Sequence, residues 1–156
     1  MKLNLRLKFF YTGLLFLLCF TFSSFASPKV AESIVGKWRH LKMVQMADGV
    51  LVRTVESNGE STLEFEDDGT WHLVSPRTSN SGTYRLISEA LLETTILRSN
   101  VSNQIGWTSV KNISVDKNIL TLVTKYDEKN MEAFSKRPDG SRPKEMLTTS
   151  TFERLK

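Results

Sequence analysis

The chain is expected to be all-β: an antiparallel up-and-down β-barrel of about eight strands, preceded by a signal-peptide helix. Three observations lead there. Past residue 34 hydrophobicity alternates with period two in short runs, and no helical stretch of useful length interrupts them. Turn signals separate the runs: Asp48-Gly49, Asn58-Gly59, Asp67-Asp68-Gly69 and Asp116-Lys117-Asn118. Long crossovers are few, so hairpin follows hairpin, and such a meander removes its exposed edges by closing on itself.

The N-terminus is read first as a leader. Lys2, Arg6 and Lys8 precede an apolar run from Phe9 to Phe22. Ser24 and Ala26 then supply the small residues of a signal-peptidase site. Cleavage after Ala26 is expected, with export to the periplasm or beyond. This divides the chain into signal peptide 1–26, lead-in 27–34 and barrel domain 35–156. The apolar run is shorter than the roughly 20 residues a spanning helix needs, so no stable membrane span is expected once the leader is gone. Lipidation at Cys19 is disfavoured by the bulky Leu18 before it.

Cys19 is the only cysteine and leaves with the leader. The exported domain then has no disulfide, thiol nucleophile or thiolate metal site, and its core alone must hold it. The whole chain has 21 Lys and Arg against 17 Asp and Glu. Without the three leader cations the balance is 18 against 17, a net of +1. A near-neutral domain lacks the basic footprint of a nucleic-acid binder, so no nucleic-acid partner is expected.

The strands follow in order. From Gly36 the first is not cleanly alternating; a bulge near His40 would put Trp38, Leu41 and Met43 on one side. Val50 to Glu56 is the second. Thr62 to Glu66 is the clearest, apolar at Leu63 and Phe65 with acids between, and Thr70 to Val74 returns from it. Pro76 to Ser81 reads as a polar loop. Gly82 to Leu86 and Leu91 to Leu97 are the fifth and sixth strands, and Asn100 to Gln104 a loop. Trp107 to Val115 and Ile119 to Tyr126 form the next hairpin. Met146 to Leu155 closes the chain, with Met146, Thr148, Ser150 and Phe152 on one side.

Several of these residues form an ordered set. Gly36-Lys37-Trp38 resembles the G-x-W opening of the lipocalins. The run from Thr62 to Trp71 resembles the hairpin of small bacterial lipocalin-like domains. Gly82-Thr83-Tyr84, Asn118 to Leu122 and Thr151 to Arg154 match the same group in the same order. The resemblance implies a lipocalin/calycin-like barrel with Trp38 across its closed end, Arg154 stacked on the indole and Gly36 admitting the chain close beneath. It assigns Gly36, Trp38 and Arg154 to structure.

Catalytic groups are not legible. Serines lack the G-x-S-x-G or S-x-x-K setting, and no glycine-rich phosphate loop occurs. His40 and His72 have no metal-ligand spacing, so no metal or cofactor is expected. The acids from Glu64 to Asp68 read as a solvated hairpin. An enzyme is not expected. The barrel geometry nominates Phe65, Tyr84, Leu86, Trp107 and Leu122 as cavity residues for a small apolar or amphipathic molecule, with ordinary core packing as the competing role. The alternative is an envelope interaction module or inhibitor with a packed barrel. Its protein partner would meet the loops, above all Lys136 to Lys144, which carries four cations and two prolines.

Overall fold

The computed structural model describes residues 33–127 and 141–156. The leader, most of the lead-in, and Lys136 to Gly140 of the cationic loop lie outside them. Among the described residues nine strands are present: β1 (Gly36–Ala47), β2 (Val50–Glu56), β3 (Thr62–Phe65), β4 (Thr70–Val74), β5 (Ser79–Ser88), β6 (Leu91–Ser99), β7 (Thr108–Asp116), β8 (Ile119–Asp127) and β9 (Glu145–Arg154). All pairings are antiparallel between neighbours in sequence, except that β1 also pairs with β3 and β9. The β1–β9 ladder closes the sheet into a barrel.

Nine strands occupy eight positions around the ring. β1 is long and bent, and β2 pairs with its second half while β3 pairs with its first. Hydrogen bonds from Ser57 N to Leu41 O (2.8 Å) and from His40 N to Ser61 O (2.9 Å) hold the chain to β1 on either side of the interruption. β2 and β3 are thus two halves of one ring strand, parted by an excursion at residues 57–61. The register shifts between His40 and Lys42 against β9. That bulge sets His40, rather than Leu41, opposite Phe152, and Met43 opposite Ser150.

Turn chemistry accounts for the hairpins. Asp48 and Gly49 both have positive φ (50° and 78°), as a two-residue hairpin turn of this hand requires. The Asp48 carboxylate also accepts from the backbone N–H groups of Lys144 and Glu145 (2.9 and 3.0 Å), tying this turn to the start of β9. At the other end of the barrel Asp68 accepts from Thr70 N (2.8 Å) and Thr70 Oγ1 (2.7 Å), and these bonds hold its carboxyl below the usual range. Its carboxylate is therefore engaged in shaping the β3–β4 turn.

The core fills the β1-start end. Ile34, Trp38, Phe65, Leu92 and Leu120 are buried almost completely. The Trp38 indole donates Nε1–H to Ile34 O (2.8 Å), and the Arg154 guanidinium lies 4.2 Å from its ring centre. Arg154 in turn donates to Val35 O (2.8 Å) and to Ser33 O. Gly36 has φ +127°, and a Cβ there would stand 3.0 Å from Arg154 Nη1, so both backbone and space call for glycine. By sequence Ile34 falls in the lead-in; the structure places it in the core.

Several boundaries differ from the sequence expectation, and two of them lie beside the barrel's open end. β5 begins at Ser79, so the loop after Pro76 is shorter than the polar run suggests; Ser79 pairs with β4, and Asn80 with both β4 and β6, despite their composition. Trp107 stands just before β7, after a 3-10 turn at Ser102–Gln104. Among the described residues no helix is long and apolar enough to cross a membrane.

Candidate ligand cavity

Inward-facing side chains above the core do not fill the barrel. They leave a cavity of about 880 Å³. Trp38 is not on its wall, whereas Gln104 and Trp107 in the β6–β7 connection and Lys125 and Tyr126 at the far end of β8 are. Among the described residues the cavity therefore opens opposite the Trp38 end. Its deeper wall is apolar: Leu63, Phe65, Trp71, Leu122 and Phe152. Higher up, strand alternation brings in hydroxyls and amides: Thr94, Ser109, Thr124, Thr148, Ser150 and Asn80.

The sequence-nominated residues divide into two groups. Phe65, Trp107 and Leu122 line the cavity, with Trp107 half-exposed at its mouth. Tyr84 and Leu86 do not; this corrects the expectation for both. They face inward on β5 but pack against the core nearer the closed end. Tyr84 meets Phe65 edge-on at 4.9 Å between ring centres, and its hydroxyl donates to Glu66 O (2.7 Å). Burial raises its phenol above the ordinary value, and the acids of the β3–β4 turn raise it further.

Lys111 is the residue that sequence reading missed. It projects inward from β7, at the level of Leu92 on β6 and Thr124 on β8. Its Nζ donates to Thr94 Oγ1 (2.6 Å) and to Ser109 Oγ, and the two hydroxyl oxygens lie 3.2 Å apart. Tyr126, its phenol raised by burial, shares the wall from β8. No Asp or Glu among the described residues lines the cavity. Lys125, the other lysine there, pairs with Glu145. Burial pulls the Lys111 ammonium down to about 8 from an ordinary 10.5. A signal was present in the sequence: Lys111 has the same strand parity as Ile113 and Val115, which marks it as a cation on an apolar face.

Elsewhere charges pair across strands on the outer face, as in Lys42–Glu56 (3.1 Å) and Arg39–Glu153 (2.5 Å). His72 is exposed, as alternation predicts. His40 is half-buried against Phe152 (5.1 Å between ring centres), and burial lowers its pKa. No group of three or more His, Cys, Asp and Glu able to hold a metal occurs among the described residues. The strongly perturbed polar group in the barrel is Lys111, and what it offers is a positive charge in a partly dry cavity.

That charge has a consequence for stability. Between pH 8 and 10.5 the unfolded chain keeps a proton that folded Lys111 gives up, so this group makes the protein more stable as pH rises through the window. Below pH 8 the full penalty applies, up to about 3 kcal/mol and less where water enters through the mouth. Lys111→Met is accordingly expected to be at least as stable as the parent at pH 7, with the parent gaining on it by pH 10.5. Urea midpoints at pH 7, 9 and 10.5 check this; a constant difference between the two proteins would count against it.

No family model matches the chain, and no curated protein matches it. Among solved structures, one described as EF1p2_mFAP2b bound to DFHBI is similar, with a TM-score of 0.45 and 12% identity. The match covers 81% of this chain and 97% of that one.

Proposed function

We propose that the chain is an exported, lipocalin-like binding protein that holds a small hydrophobic or amphipathic molecule in its barrel. The cavity carries this reading. Its 880 Å³ falls within the roughly 300–1,000 Å³ of small-molecule sites, and its apolar wall with a few polar groups has their usual composition. The packed barrel attached to the alternative reading is not what the structure contains. Export rests on the leader pattern of residues 1–26.

Native mass spectrometry of the protein purified without detergent from its own envelope tests the proposal. A retained small organic mass is expected. After that molecule is stripped, Nile red should bind saturably at one per barrel, and Ser150→Trp, which fills the cavity, should weaken it. Absence of both a retained mass and saturable dye binding would remove the reading.

One observation favours a second reading, an interaction module. Among the described residues β2 pairs only with β1, and Val50, Leu51 and Val52 on it are at least 60% exposed. An apolar strand with an open edge is a site for strand addition. If β2 serves that role, Leu51→Lys removes a co-purifying protein from envelope pull-downs while dye binding is unchanged.

A further inference from the structure

We propose that the molecule held in the barrel is an amphipathic acid, an apolar chain or ring system with one carboxylate, and that the carboxylate sits on Lys111 Nζ beside the hydroxyls of Thr94 and Ser109. This rests on the binding reading above and names its ligand class. An ammonium has three N–H donors. Two go to neutral hydroxyls, and no described carboxylate on the cavity wall balances the charge. A desolvated cation without a counter-ion is costly, as the fall of Lys111 to about 8 reflects. An incoming carboxylate offsets that penalty and gains charge-assisted hydrogen bonds in a weakly screened place.

The hydroxyls suit the same partner. Both oxygens accept from Lys111, so their protons turn elsewhere. One proton bridges the pair across 3.2 Å, and the other remains to donate to an anion. Below this trio lie Phe65, Leu122 and Phe152, a wall for the apolar body. Asn80 adds a further polar contact. It is 8% exposed and donates Nδ2–H to Gln104 Oε1 (2.9 Å), while its Oδ1 has no hydrogen-bond partner. Whichever way that amide is turned, one of its polar atoms is left for a hydroxyl or amide on the ligand.

The test is fluorescence titration of the stripped full barrel at pH 7 with 11-(dansylamino)undecanoic acid and with its methyl ester. The acid is expected to bind about tenfold or more tightly than the ester. Lys111→Arg should keep that preference, and Lys111→Met should bring the two affinities within about twofold while still binding the ester. Equal affinities in the parent protein would overturn the proposal with no variant needed, and so would a preference that survives Lys111→Met. Failure of both probes to bind the parent would overturn the binding reading and this inference together. Tight ester binding without preference would overturn this inference alone.

Discussion

Trp38→Ala is expected to destabilise the barrel by about 3–5 kcal/mol. The indole is fully buried, and its removal opens a void among Ile34, just before β1, and Leu63 and Phe152 on β3 and β9. It also takes away the donor to Ile34 O and the face against which Arg154 stacks. A domain of this size has about 5–15 kcal/mol in total, so the variant approaches the limit of folding. The stack can be measured separately. Arg154→Met removes the cation and its bonds to the entering chain. A double-mutant cycle with Trp38→Phe should give a coupling of about 1–2 kcal/mol, as a desolvated cation–π contact does. Far-ultraviolet circular dichroism against urea reads all five proteins. A loss under 1 kcal/mol for Trp38→Ala would show that the closed end is not what holds the barrel shut.

Gly82→Ala is expected to cost about 3 kcal/mol or more. The reason is distance to backbone rather than conformation. A Cβ on Gly82 would stand 1.8 Å from Thr95 O and 3.0 Å from Leu97 N. No side chain can move aside to relieve that contact; β5 and β6 must part instead. They are paired from Asn80 to Ser88, and their register shifts just at Ser81/Gly82. The bulge brings β6 across the place where a side chain would point inward. Soluble yield and the urea midpoint of the variant report the effect. A midpoint unchanged from the parent would show that the two strands do not approach so closely.

Strand positions were legible because they depend on local rules. Alternation in Thr62–Phe65, the Asp48-Gly49 turn and the Asp67-Asp68-Gly69 turn each need only neighbouring residues to be read. The start of β5 was not legible, because Ser79 and Asn80 are polar and are held in the sheet from afar: Ser79 by β4 and Asn100, Asn80 by ladders to β4 and β6. The bulge in β1 was anticipated near His40, but which residue would face Phe152 depended on β9, about 110 positions away in sequence. For Tyr84 and Leu86 alternation gives the right face of the sheet and not the depth. Alternation reports face alone; height in a barrel follows from the stagger of strands around it. Lys111 could be seen as an anomaly of parity, but its meaning could not. Thr94 and Ser109 become its partners only because β6 and β7 pair in the register they do.

By itself, then, the order of residues determined an all-β chain, its hairpins, and the faces that turn inward, because period-two alternation and turn propensities act over a few residues. The tertiary structure alone decided that β2 and β3 share one ring position, that β1 meets β9, and that a cavity of about 880 Å³ forms beside a largely buried ammonium. Those features are sums over contacts between distant segments. Closure, stagger and volume exist only when all the strands are in place at once.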